Sequence, residues 1–291
     1  MKVAKKIIAL TLALMFSFLL VACKSTKAKS NSTKKKMIEV NGIHLSVKEA
    51  GNGRAMILVH GKGYSKENMD RIFNYYKDRF HVVSYDVRGH GESDKPASFT
   101  LEDDAADLAS LVKAMHLEKP VVIGFSMGSY ITLKTAEEYP SLFSKIVLIG
   151  TKGGGETSST QKAEQEAAES GMSREQIAQQ MIRRVFAPQV TIDEIRAFNE
   201  ETASSVKLTA AEQDAITKSL QNFDLLESAP KVTIPSLVLT GEYDGLNPPA
   251  EGKKVADALP NAKFEVIPNA GHIAFFENPE KVFSLIDEFV K

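Results

Sequence analysis

The stretch "VVIGFSMGSY", residues 121–130, carries an unbroken apolar run into a serine framed by Gly124 and Gly128. A helical pattern, "MGSYITLKTAEEYP", follows it. Strand, G-x-S-x-G and helix in that order make a nucleophile elbow: the turn is tight, bulky residues at the two glycines would clash, and the Ser126 hydroxyl is left exposed at the carboxyl end of the strand. The bare pattern also occurs in glycine-rich turns, where Ser126 would be only a polar turn residue. A serine hydroxyl is a weak nucleophile and needs a histidine to take its proton and a carboxylate to orient that histidine. His272, in "PNAGHIAFFENPE", follows the last strand-like run and precedes the C-terminal helix, so it falls on a loop at the same sheet edge as Ser126. Asp244, in "LTGEYDGLNPP", lies just beyond another strand. The alternatives are a surface-loop histidine and a turn-forming aspartate beside Gly245, with Glu242 a lower-ranked candidate for the acid.

Three loops can meet only if a scaffold gathers them. The runs "AMILVH" (55–60), "HVVSYDV" (81–87), "PVVIGFS" (120–126), "KIVLIG" (145–150), "SLVLTG" (236–241) and "KFEVIPN" (263–269) read as strands. Most lack strict alternation, as strands covered on both faces do. Helical segments at 68–79, 101–117, 127–139, 249–258 and 279–290 lie between or after them, and this rhythm predicts an α/β fold with a mostly parallel central sheet flanked by helices. Ahead of it, "MIEVNGIHLSVKEAG" predicts a hairpin turning at Asn41-Gly42. The interval 151–229 breaks the rhythm. It shows no strand signal, but Ser173…Gln176, Thr191…Glu194 and Thr209…Glu212 have capping-box spacing. The prediction is a helical cap (151–229), entered through a flexible "TKGGGETSST", inserted into a core made of residues 37–150 and 230–291.

The amino terminus differs in kind. A basic start (Lys2, Lys5, Lys6) and a continuous apolar run make residues 1–22 an export signal. It ends in "LVAC", resembling the bacterial lipobox, in which Cys23 would be acylated to become the first mature residue; the alternative is an uncleaved anchor. Cys23 is the only cysteine, so no intramolecular disulfide can form. Residues 24–36, with six lysines and no acid, are predicted to be a disordered tether favouring an anionic membrane surface. The expected location is therefore extracytoplasmic, on a lipid anchor in the bacterial cell membrane. With nine lysines and no carboxylate up to Lys36, and −1 overall, the remainder carries a formal charge of −10, which argues against nucleic-acid binding. The histidines are scattered and no His-x-His spacing appears, so no metal site is expected.

The order Ser126…Asp244…His272, with "VHGKGYS" after the third strand, "YDVRGHGESDKP" after the fourth and "AGHIAFFENPEKV" near the end, resembles the α/β-hydrolase superfamily from about residue 37 to 291. The likeness is closest to its small-esterase, haloperoxidase-like and enol-lactonase branch. It implies the α/β-hydrolase fold and an oxyanion hole formed by the backbone N–H groups of Lys62 and Met127. It also implies scaffold roles for Asp86, Arg88 and His90. Lys62 departs from the branch, where this position is usually apolar; its ammonium either attracts an acidic substrate or, as favoured here, points to solvent. Members with an aspartate at the elbow are dehalogenases and epoxide hydrolases, so Ser126 implies an acyl-enzyme formed from an ester or related small acyl substrate, without a cofactor. Tyr64, Phe125, Met127 and Phe275 are candidate pocket walls, each with core packing as its alternative. A hydrolase-fold sensor or binding lipoprotein with little turnover is the competing function.

Overall fold

Continuous apolar runs become strands buried on both faces. The computed structural model describes residues 32–291, so the export signal, Cys23 and the tether as far as residue 31 lie outside the described residues. Strands β3 (Ala55–Val59), β5 (Val121–Phe125) and β9 (Ser236–Gly241) are buried at every position, and β4 (His81–Tyr85) and β6 (Lys145–Ile149) at all but their first. With the hairpin β1 (Lys34–Val40) and β2 (Ile43–Ala50), and with β10 (Ala262–Ile267), they form an eight-stranded sheet in the order β1-β2-β4-β3-β5-β6-β9-β10. The hairpin pairs are antiparallel and the remainder are parallel.

Alternate residues of each central strand feed two cores. Ile57, Val122, Leu148 and Val238 pack with Leu108, Ile131 and Val255 from helices Leu101–Ala114, Met127–Glu138 and Pro249–Ala258. Leu58, Ile123, Val147 and Leu239 face the other way, against Ile72 and Ile286 from helices Asp70–Tyr76 and Pro279–Val290. This layering is the predicted mostly parallel α/β fold. It brings the ends of β3, β5, β9 and β10, and the loops after them, to one edge.

Three local expectations change. Lys34–Lys36 belong to β1 rather than to a tether: they pair with Glu49, Lys48 and Val47, and Lys36 donates to the Glu49 carboxylate at 2.8 Å. Lysine-rich composition reads as disorder only while the opposite strand, with its acid, is out of view. Between β6 and β9, two short strands, β7 (Gly154–Gly155) and β8 (Phe223–Asp224), pair antiparallel, so the entrance expected to be flexible is zipped to the exit. A two-residue ladder of glycines has no branched or aromatic alternation to read. Gly154 serves close approach, since a β-carbon there would sit 2.8 Å from the Phe223 carbonyl oxygen across the ladder. The three expected capping boxes do form, on helices Arg174–Val185, Ile192–Glu201 and Ala210–Ser219. A fourth helix, Ser159–Glu169, starts at the end of the glycine-rich stretch, where Ser158…Gln161 has cap spacing and Ser158 accepts from the Gln161 amide.

Candidate active site

At the end of β5 the chain turns so sharply that Ser126 takes φ 52° and ψ −118°, a left-handed conformation that costs a side-chain-bearing residue on the order of 1–3 kcal/mol. Close packing holds it there. A β-carbon at Gly124 would lie 2.3 Å from the Gly128 carbonyl oxygen, and one at Gly128 would lie 2.1 Å from that of Val59, so both flanking positions admit glycine alone. The Ser126 amide donates to the Ile149 carbonyl at 2.8 Å.

The structure brings the three chemistry-bearing residues into one hydrogen-bonded line. His272 Nε2 is 2.9 Å from Ser126 Oγ, and His272 Nδ1 is 2.8 Å from Asp244 Oδ2. The other Asp244 oxygen accepts from the amides of Leu246 at 2.9 Å and Asn247 at 2.8 Å, so the acid cannot rotate away. Because the Asp244 carboxylate only accepts, the imidazole proton belongs on Nδ1, which leaves Nε2 free to accept from the serine hydroxyl. Glu242 is not part of this line; it accepts from the Asn269 amide.

Partners across the chain, which no local pattern signals, hold these loops. The last carbonyls of helix Arg174–Val185 are capped by them: Arg184 O accepts from the Gly245 amide and Val185 O from the His272 amide. Asn247 donates through Nδ2 to the Tyr130 hydroxyl at 2.7 Å and to the Gly150 carbonyl, and accepts from Ser159 Oγ at 2.6 Å. Tyr130 is buried.

The loop His60–Gly63 lies against the elbow: a β-carbon at Gly61 would approach the Phe125 ring to 3.0 Å. Among the described residues neither the Lys62 nor the Met127 amide has a protein acceptor, and Met127 opens a helix, where an unpaired N–H is the rule. Two buried histidines brace the loop. His60 donates from Nδ1 to the Gly61 carbonyl and accepts at Nε2 from the Val87 amide. His90 accepts from the Gly63 amide and donates to the Arg88 carbonyl. Asp86 accepts from the Lys66 amide and ammonium and from the Glu92 amide, while Arg88 binds Asp107 through two nitrogens. All three residues expected in scaffold roles therefore make structural contacts.

Burial pushes the pKa of His60 down to about 4 and that of His90 to about 3. Both stay neutral in the folded chain down to those values, whereas the unfolded chain takes up protons near the ordinary histidine value. The unfolded state thus binds more protons as pH falls, and stability is lost from about pH 6.5 downward. At about pH 5 each histidine costs roughly 2 kcal/mol relative to neutral pH. Urea denaturation of His60→Gln should show a loss between about pH 7.5 and 5 that is smaller than wild type's by roughly 2 kcal/mol; equal losses would mean that His60 titrates normally.

A cavity of about 220 Å³ opens on Ser126 and His272, walled by Tyr64, Phe125, Thr160, Val185, Leu246 and Ile273. Tyr64 and Phe125 are among the residues that line it. Phe275 is not: it is fully buried behind Phe125, packed edge-on with ring centroids 5.1 Å apart. The Met127 side chain, too, is in the core. The Lys62 side chain also differs from expectation. Its ammonium is half-buried and donates to Ser158 Oγ at 3.0 Å, because the helical segment closes over a loop that sequence alone leaves open to solvent.

A protein-family model described as the alpha/beta hydrolase fold matches residues 54–279. The chain is 26% identical over 268 residues to 2-(acetamidomethylene)succinate hydrolase of Mesorhizobium japonicum, covering 87% of this chain and 94% of the relative. It is 23% identical over 239 residues to 3-oxoadipate enol-lactonase 2 of Acinetobacter baylyi, covering 81% and 88%. Among solved structures, a thermophilic esterase from Thermogutta terrifontis superposes with a TM-score of 0.73 at 28% identity, over 88% of this chain and 98% of the esterase.

Proposed function

The chain belongs to the α/β-hydrolase family, and from that premise we propose that it is a serine hydrolase cleaving small carboxylic esters or related acyl compounds through an acyl-enzyme on Ser126. The observation that carries this is the line Asp244–His272–Ser126, with contacts of 2.8 and 2.9 Å, ending in a serine held left-handed at the cavity. His272 Nε2 takes the hydroxyl proton as Ser126 Oγ attacks the acyl carbon. The negative charge that develops on the carbonyl oxygen is met by the amides of Lys62 and Met127; one such donor is worth about 3–4 kcal/mol in related chemistry. The imidazolium, stabilised by Asp244, passes the proton to the leaving alcohol or enol. Water deprotonated by the same histidine then attacks the acyl-enzyme, and collapse of the second tetrahedral intermediate releases the acid and restores Ser126. Names of the relatives above, an esterase, an enol-lactonase and a hydrolase, support this reaction class. A cavity of 220 Å³ lies below the range of about 300–1,000 Å³ typical of drug-sized ligands, and so supports a small acyl group.

Fluorophosphonate treatment of the full chain should give one adduct that is absent in Ser126→Ala, with p-nitrophenyl acetate and butyrate turned over ahead of the laurate ester. A folded protein that stays unlabelled would sink the reading and favour a non-turnover binding role. Export through residues 1–22 and acylation of Cys23 belong to the same proposal, and place the enzyme outside the cytoplasm on a lipid anchor. Palmitate incorporation should disappear in Cys23→Ala; incorporation that persists there would remove the anchor.

A further inference from the structure

A second cavity, of about 770 Å³, lies between the helical segment and the core and does not contain the triad. It adjoins the Ser126 pocket: Leu246 lines both, and the successive residues Ser159 and Thr160, like Arg184 and Val185, are divided between them. On its wall stands Lys152, just beyond the end of β6 and only 7% exposed. The Lys152 ammonium donates to the Thr157 carbonyl at 3.0 Å and lies 5.5 Å from the centre of the Phe223 ring. Among the described residues it makes no ion pair. The nearby acids are otherwise engaged or in water: Glu166 pairs with Arg184, Glu251 with Lys254, and Glu156 and Glu169 are exposed.

A buried ammonium with no acidic partner is expensive, by several kcal/mol, and a neutral donor could serve the Thr157 carbonyl as well. Lys162, on the same wall, adds positive potential, which Glu251, itself paired with Lys254, offsets only in part. Burial draws the pKa of Lys152 down to about 8, which still leaves the group charged at neutral pH.

We propose that this cavity is an anion subsite in which Lys152 binds a carboxylate carried by the substrate, past Leu246 from the acyl carbon held at Ser126. The natural substrates are then monoesters or lactones that bear a free carboxylate. A single ammonium matches one carboxylate group, and the exposed acids at the rim disfavour a doubly charged head group such as a phosphate monoester. Lys62, whose ammonium donates to Ser158 Oγ, lines the Ser126 cavity and not this one.

This inference rests on the serine-hydrolase reading, and its test has one arm that needs no turnover. Lys152→Met keeps most of the stem and removes the charge. In the full chain, the ratio of kcat/KM for mono-p-nitrophenyl glutarate to that for p-nitrophenyl butyrate should fall about thirtyfold in Lys152→Met, with the loss in KM. Calorimetric titration of glutarate into Ser126→Ala protein should show binding that Lys152→Met, added to that background, weakens by at least about tenfold. An unchanged ratio, or glutarate binding that is absent or indifferent to Lys152, overturns the subsite. Lys152-dependent glutarate binding in a protein that resists fluorophosphonate would retain the subsite and reject the hydrolase mechanism instead.

Discussion

Replacing Ser126 with alanine is expected to lower kcat/KM for a short p-nitrophenyl ester by about 10^6-fold, and adding His272→Ala is expected to lower it no further. The two residues act as one unit. Without the hydroxyl, the imidazole whose Nε2 stands 2.9 Å away has no nucleophile to activate; without the imidazole, the hydroxyl keeps its proton at neutral pH. What survives either change is about 10^3- to 10^4-fold over water, from the amides of Lys62 and Met127 and from the pocket. Folding should be untouched, because alanine retains the β-carbon and the backbone strain at φ 52° is unchanged. Purified variants compared with wild type, with melting temperatures measured alongside, provide the check. A Ser126→Ala protein retaining more than about 1% of activity, or a double variant far below either single one, would contradict a shared proton-transfer unit.

Ser126, His272 and Asp244 were legible as candidates in the sequence because each sits on a loop just past a strand, and strand ends are written in local hydrophobicity. β9 matches its predicted span of 236–241, and Pro249–Ala258 and Pro279–Val290 match theirs, each closed by nearby breakers. What stayed hidden depends on partners far along the chain. The Lys62 ammonium meets Ser158, 96 residues away, and the His272 amide is fixed by the Val185 carbonyl. Phe125 and Phe275 are both apolar aromatics, yet one walls the pocket and the other stands behind it, a difference of depth that residue type does not encode. Lys152 is the extreme case. On the sequence it is a lysine before three glycines, in a stretch that reads as a solvated linker. Only the β7–β8 ladder that folds this stretch against Phe223 makes it a buried cation.

Asp244→Asn should be nearly as damaging as loss of the nucleophile, at about 10^4-fold in kcat, although it changes a single atom. The reason lies in what already occupies the other oxygen. Asp244 Oδ1 accepts from the amides of Leu246 and Asn247, and an NH2 placed there would face two donors. Asparagine must therefore keep its oxygen toward those amides and turn its NH2 to His272 Nδ1, 2.8 Å from the present Oδ2. A donor there forces Nδ1 to become the acceptor and moves the imidazole proton to Nε2. The histidine then donates to Ser126 Oγ instead of accepting from it, and no longer serves as the general base. The geometry of the line is preserved, so the defect should appear in kcat and in the rate of fluorophosphonate labelling, with KM and the melting temperature close to wild type. Labelling at the wild-type rate in Asp244→Asn would show that Asp244 does not set the tautomer of His272.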